Sequence, residues 1–418
     1  MFNCRIIVLL SFVLCISCSR TEDSFYAEDV PTKDVQVHEL DTPGFLLDKG
    51  NLNIHIFANG NFTGEENWSF VKDISNVNHS YCHPDVEYFP KGFNGYKYWM
   101  VFTPYFGILG ESAESERYEN PTVVVSNDGL NWIEPKGISN PIQKAPAPYE
   151  CFPYIKNKEN RGFWSDVDWV FYQNQFYLYY RGNFISTKTL SSRGAKNSNN
   201  KTKLMKNEHR TIVRQRSSNG VKWNALDIAY TSSKPYSPEN SLLLSPTFIH
   251  NGEKFVSYEV ENNTGKKNFK GPDKAYIIRR TSDDGLNFTD FKSSKIVNFN
   301  NKPWLDINKN YSHWHIQCSY VDGYYFLCLN IGDVNQNTGD AIYLAYSKDG
   351  LNFLVFPKPM VQKNAYRSCV FPMASDQEYI SFGAILGFKT GEFKYREFKL
   401  LKKKLDQKIE ATNFHVFN

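Results

Sequence analysis

The sequence predicts an all-β fold, a five-bladed β-propeller of four-stranded antiparallel blades. Two observations predict it: a short turn motif that recurs in phase, and a strand pair that precedes each copy. The motif is SNDGLNW at Ser126, SSNGVKW at Ser217, SDDGLNF at Ser282 and SKDGLNF at Ser347, at successive offsets of 91, 65 and 65 residues. In each, Asp or Asn caps a turn, Gly supplies a positive φ, and Trp or Phe anchors the returning strand. A repeat of this period, built from short strands, is the signature of a propeller, and a β-sandwich fits the regular spacing poorly.

The elements follow in chain order. Residues 1–17 read as a lipoprotein signal peptide: Arg5, then an apolar run from Ile6 to Ile16 too short to span a membrane, then Cys15-Ile16-Ser17-Cys18, which resembles a lipobox with Cys18 as the lipidated residue. Residues 18–48 read as a polar, lipid-anchored tether, and its Glu22-Asp23 pair resembles an acidic surface-export signal. The expected location is a bacterial cell envelope, anchored to the outer membrane and exposed at the surface. Residues 49–418 form the propeller domain. NLNIHIFANG is expected to complete the last blade and close the ring.

Five strand pairs then follow: DVEYFP with YKYWMVFTPY, DVDWVFY with QFYLYYRG, SPTFIH with KFVSYEVE, HIQCSYV with YYFLCLNIG, and SCVFPM with EYISFGAIL. The runs PTVVV, TIVRQR, AYIIRRT and AIYLAY supply third strands, and FKYREFKLL does so for the fifth blade. The segment 185–210, rich in Lys, Ser and Asn, reads as an exposed loop, solvated or serving as a cationic flap over an anionic substrate. Cys82, Cys151, Cys318, Cys328 and Cys369 show no C-x-x-C spacing and signal neither a disulfide framework nor a zinc site. A formal charge of +4 on 418 residues argues against nucleic-acid binding; the aromatic content is high and dominated by Tyr and Phe, and Tyr and Trp suit sugar-stacking surfaces. A monomer is expected.

Propeller geometry sorts the polar residues by face. The turn acids Asp128, Asp283, Asp284 and Asp349 fall on one face and read as structural. The opposite face collects the starts of first strands (His83, Asp85, Asp166, Asp168, Ser245, His313, His315, Arg367), the ends of second strands (Tyr105, Arg181, Glu259, Glu261, Asp333) and Glu119 at a third-strand start. Carboxylates facing one another across such a funnel suit acid/base cleavage of a glycosidic bond. Asp166 and Asp168 alternate on one strand, as do His313 and His315, so each pair is expected to share a face. Trp99 reads as core, whereas Trp164, Trp169 and Trp314 are candidates for sugar stacking.

The repeat pattern over about residues 50–405, with Asp85 in HisProAsp and Asp166 in TrpSerAspValAsp, resembles the five-bladed propeller glycosidases, glycoside hydrolase families 43 and 32 and their relatives. The resemblance implies Asp85 as base or nucleophile and Asp166, aligned opposite Asp85, as stabiliser or tuner of the acid. Where those families place Glu-x-Pro for the general acid, this sequence has Leu244-Ser245-Pro246, which leaves Glu119, Glu259 and Glu261 as the available acids. His83, Tyr105, Trp164, Asp168, Arg181, His313, His315 and Arg367 are the expected substrate-binding residues. No cofactor is required by this reading, and a structural calcium ion in the central channel is compatible with it. The expected activity is an extracytoplasmic glycoside hydrolase on poly- or oligosaccharides, the alternative a non-catalytic glycan-binding lipoprotein on the same fold.

Overall fold

The computed structural model describes residues 47–56, 77–78, 81–104, 107–108, 119–143, 164–182, 211–231, 245–262, 275–333 and 339–412. The signal peptide, Cys18, Tyr105, Cys151 and the segment 185–210 lie outside these residues.

Five antiparallel sheets form the ring. Blade one runs Tyr81–Phe93, Tyr96–Pro104, Thr122–Ser126 and Asn131–Ile133. Blade two runs Trp164–Tyr172, Gln175–Gly182, Thr211–Ser217 and Asp227–Thr231; blade three runs Thr247–His250, Phe255–Asn262, Ala275–Ser282 and Lys295–Ile296. Blade four runs Tyr311–Val321, Tyr324–Asp333, Ala341–Ser347 and Asn352–Val355. Blade five runs Ala365–Ser375, Tyr379–Phe388 and Phe393–Leu401, and its fourth strand is the N-terminal Leu47–Asn51. The first strands of successive blades pack against one another around the ring.

The ring closes slightly earlier in sequence than expected. Leu47–Asn51 pairs antiparallel with Phe393–Leu401, so the propeller begins ahead of residue 49. The chain then crosses at Leu52, whose N–H donates to Phe393 O at 3.0 Å, and Asn53–His55 runs parallel to Asn131–Ile133 on blade one. NLNIHIFANG therefore divides between two blades. The closing strand, LDKGN, is an outer edge with mostly exposed residues, and so it carries no apolar alternation to read. A helix at Lys402–Ala411, absent from the sequence reading, follows the last strand and buries Leu405 against blades four and five.

The hydrophobic core is divided into clusters that each lie between two neighbouring blades. Trp99, Val101, Trp169 and Phe176 join blades one and two, and Met100, Cys369, Phe371 and Tyr395 join blades five and one. The repeated turn is part of this packing. The turn glycines Gly129, Gly220, Gly285 and Gly350 have φ between 67° and 74° and each meets an aromatic of the preceding blade: Tyr395, Trp99, Tyr179 and Tyr258. Tyr179 and Tyr258 donate their hydroxyls to Gly285 O (2.6 Å) and Gly350 O (2.8 Å). Glycine is thus required twice over, by backbone conformation and by an aromatic ring where a Cβ would stand.

Candidate functional site

The first strands carry two rings of side chains, two residues apart in every blade. The first ring ties the blades together. Asp85 Oδ2 accepts the N–H of Trp169 (2.9 Å), Asp168 Oδ1 that of Phe248 (2.6 Å), Thr247 Oγ1 that of Cys318 (2.8 Å) and Gln317 Oε1 that of Val370 (3.0 Å). Each acceptor bonds the residue that follows its counterpart in the next blade. Cys369 holds the fifth position and ends the series. Asp85 Oδ1 also accepts Gln317 Nε2 at 3.1 Å. Burial drives both Asp85 and Asp168 above the usual carboxylate range, against the stabilising N–H bonds and Arg367.

This register corrects the strand alignment read from sequence. The blade-two counterpart of Asp85 is Asp168, and that of His83 is Asp166. Among the described residues the second ring comprises His83, Asp166, Ser245, His315 and Arg367, one per blade, all buried. A bulge at this position breaks strand alternation in four blades: between Cys82 and Asp85, opposite Tyr179/Arg181, between His313 and His315, and between Tyr366 and Cys369. His83 (φ 55°) and Asp166 (φ 53°) are left-handed, a conformation uncommon outside glycine.

The second ring converges on Asp166. Its Oδ1 lies 3.2 Å from His83 Nε2, 3.5 Å from His315 Nδ1 and 3.6 Å from Arg367 Nη1, and Arg181 Nε reaches Oδ2 at 2.7 Å. Each imidazole is held by its surroundings. His83 Nδ1 meets Thr103 Oγ1 at 2.7 Å, and Thr103 donates to Cys82 O at 3.3 Å; the tautomer with its proton on Nδ1 satisfies both contacts and leaves Nε2 bare. His315 Nδ1 meets Ser245 Oγ at 3.0 Å and its Nε2 meets the Tyr366 hydroxyl at 3.1 Å. Burial, reinforced by Arg367 and Arg181, holds His83 well below its ordinary pKa; burial does the same to His315 although Asp166 opposes it. Glu119 lies 3.9 Å from His83 Nδ1 and accepts the Ser165 hydroxyl.

Donor atoms of His83, Asp166 and His315 all lie within 4.8 Å of one another. Neither His83 Nε2 nor Asp166 Oδ1 has a hydrogen-bond partner despite full burial and their proximity. An imidazole nitrogen and a carboxylate oxygen that face each other without a hydrogen bond suit a cation between them, although the Arg367 guanidinium already lies 3.6 Å from that oxygen; neutral imidazoles anchored through their second nitrogens are in the protonation state a ligand needs. Two nitrogens and one carboxylate fit a divalent transition ion, whereas calcium prefers an all-oxygen cage.

Other expected site residues fall elsewhere. The bulge separates His313 from His315: His313 packs on Phe299 and Trp304 (ring centroids 5.0 and 5.3 Å apart), and burial pushes it down to about 3. Glu259 is engaged with Arg280 (2.8 Å), which also lies over the Tyr230 ring of blade two, and this buried group stands apart from the Asp166 cluster. Trp164 is core, edge-on to Tyr180. Asp168 accepts from Arg367 at 3.4 Å and serves the first ring. His83, Asp166, Arg181, His315, Arg367 and Glu119 are brought together. Thr103, Gln317 and Tyr366 were not singled out from the sequence. For Gln317 the signal is positional: Gln317 and Thr247 stand two residues after His315 and Ser245, as Asp85 stands after His83.

No protein-family model matches the chain. A curated relative, the A type blood N-acetyl-alpha-D-galactosamine deacetylase of Flavonifractor plautii, is 27% identical over 70% of this chain, and the chain spans 36% of that protein's length. A solved N-acetylgalactosamine deacetylase from F. plautii, in complex with blood group B trisaccharide, superposes with a TM-score of 0.59 at 17% identity, covering 85% of this chain and 96% of that one. A family 117 glycoside hydrolase from Zobellia galactanivorans gives 0.44 at 13% identity, covering 85% of this chain and 90% of its own. The chain has the five-bladed propeller fold found among carbohydrate-active proteins.

Proposed function

We propose that this protein processes glycans by metal-assisted hydrolysis of an N-acetyl group on an amino sugar. The observation that carries the reading is the convergence of His83 Nε2, Asp166 Oδ1 and His315 Nδ1 on one buried point. The curated deacetylase relative supports the substrate class. Cleavage of a glycosidic bond, the activity expected from Asp85 and its alignment with Asp166, has less support. Asp85 and Asp168 are bound to backbone N–H groups of the neighbouring blade.

His83, Asp166 and His315 would hold a divalent ion, which would supply Lewis acidity toward the amide carbonyl and a lowered pKa for water. The protein's own residues do the rest. Arg181 and Arg367 flank Asp166 and fix its orientation, leaving Oδ1 toward the imidazoles. Glu119, 3.9 Å from His83 Nδ1, favours the proton on that nitrogen and so presents Nε2 to the ligand set. Tyr366, whose hydroxyl meets His315 Nε2 at 3.1 Å, holds that imidazole with Nδ1 toward Asp166. The lipid anchor at Cys18 and a place at the outer membrane surface belong to the same proposal: they set the enzyme beside extracellular glycans.

The test is incubation of the full chain with glycans bearing terminal N-acetylgalactosamine or N-acetylglucosamine, with added divalent metal or with chelator, followed by mass spectrometry. Metal-dependent loss of acetyl with the glycan chain intact is expected. Release of a monosaccharide instead establishes glycosidase action, and binding without any product establishes the lectin-like alternative. Asp166→Asn is expected to weaken metal binding about 100-fold, measured by calorimetry, and to abolish acetate release.

A further inference from the structure

We propose that Cys82, His83 and Glu119 form a second, thiol-containing site for a soft divalent ion, and that occupancy of this site excludes the ion held by His83, Asp166 and His315. This rests on the proposed function for the first site, and the two sites share only the His83 imidazole. Cys82, His83 and Glu119 are buried and each offers a donor atom within 4.8 Å of the others, with His83 Nδ1 3.9 Å from Glu119 Oε2. Thr103 Oγ1 stands among them, 3.1 Å from Cys82 Sγ and 2.7 Å from His83 Nδ1, and offers a fourth donor. A tetrahedral ion with metal–sulfur and metal–nitrogen distances of about 2.3 and 2.0 Å needs those two atoms roughly 3.5 Å apart, within reach of side-chain adjustments alone. Thiolate with imidazole selects zinc or cadmium over magnesium or calcium.

Exclusion follows from the one imidazole the two sites share. A neutral His has a single bare nitrogen. With the proton on Nδ1, donated to Thr103, Nε2 is free to serve the first site. A soft ion at Nδ1 takes the Cys82 sulfur as thiolate, releasing that proton to solvent, and moves the His83 proton to Nε2. There it points at Asp166 Oδ1, 3.2 Å away, as a donor in place of a ligand. His83 thus works as a tautomeric selector between an activating and an inhibiting ion.

Cadmium titration of the full chain, followed through the ultraviolet thiolate-to-cadmium charge-transfer band, tests the site. One thiolate per chain is expected, with the band lost in Cys82→Ser and cadmium affinity reduced about tenfold or more in Glu119→Gln, which keeps the thiol. Absence of the band in the wild type, or its persistence unchanged in Cys82→Ser, overturns the site. Exclusion is read by loading the first site with cobalt and following its visible spectrum. Cadmium is expected to expel cobalt, and a cobalt spectrum that survives saturation of the thiolate band overturns exclusion. Asp166→Asn is expected to lose cobalt and keep the cadmium band. Wild-type protein that forms the cadmium band yet never binds cobalt refutes the first site while supporting the second.

Discussion

Asp85 and Asp166 exchange the roles that strand alignment assigns them. Asp85 accepts two buried donors, Trp169 N and Gln317 Nε2, one on each oxygen. Asp166 has no hydrogen-bond donor on either oxygen and is surrounded by two imidazoles and two guanidiniums. The first carboxylate clamps the fold, and the second is the one proposed as a ligand. Asp85→Asn offers only one acceptor to two donors, so one buried N–H loses its partner at a cost of about 1–3 kcal/mol. Denaturant unfolding is expected to show that loss. A variant with unchanged stability and no turnover would instead establish Asp85 as a reacting group.

At the scale of elements, the repeated turn is a self-contained cap. Asp128 accepts the N–H groups of Leu130 and Asn131, the Asn131 amide and the Ser126 hydroxyl, and Asp284 and Asp349 reproduce the pattern. Asp283 does not take part; it is exposed and paired with Lys254. Although partial burial opposes it, these hydrogen bonds lower Asp128 from 3.8 to about 2. A depressed folded-state pKa stabilises fully above the unfolded value and ceases to do so as pH falls through the folded one. The Asp128 contribution is therefore present above about pH 4 and lost toward pH 2. Asp128→Asn keeps an acceptor, as Asn219 does in its own turn, and is expected to show a weaker decline in unfolding midpoint between pH 4 and pH 2 than the wild type.

For the whole molecule, the joint between blades five and one differs from the other four. The series of side-chain-to-backbone bonds stops at Cys369, and Leu47–Asn51 closes blade five from the other end of the chain. That strand makes four cross-strand residue pairs, and at about 0.5–1.5 kcal/mol per hydrogen bond its removal costs several kcal/mol. A chain starting at residue 52 is expected to melt earlier in calorimetry than one starting at residue 46. It is also expected to self-associate in size-exclusion chromatography, because Phe393–Leu401 becomes an open edge. Equal melting points and a monomeric profile would show that the ring holds without its N-terminal closure.

The architecture is legible in the chain alone. Turn chemistry and strand alternation are local, so four copies of Ser-x-Asp/Asn-Gly and five strand pairs suffice to count blades and to send His83, Asp166, Arg181, His315, Arg367 and Glu119 to one end of the ring. The partners within that end were decided only in three dimensions. Bulges at one position in four blades are invisible in a pattern that assumes strict alternation, and each turns neighbouring side chains apart: Asp166 from Asp168, His315 from His313. The conserved spacing of two residues between the rings was present in the chain, but its meaning required knowing which backbone N–H stood opposite each acceptor. Charge and residue type bring a side chain to a site; the backbone register across blades decides whether it clamps the fold or faces the chemistry.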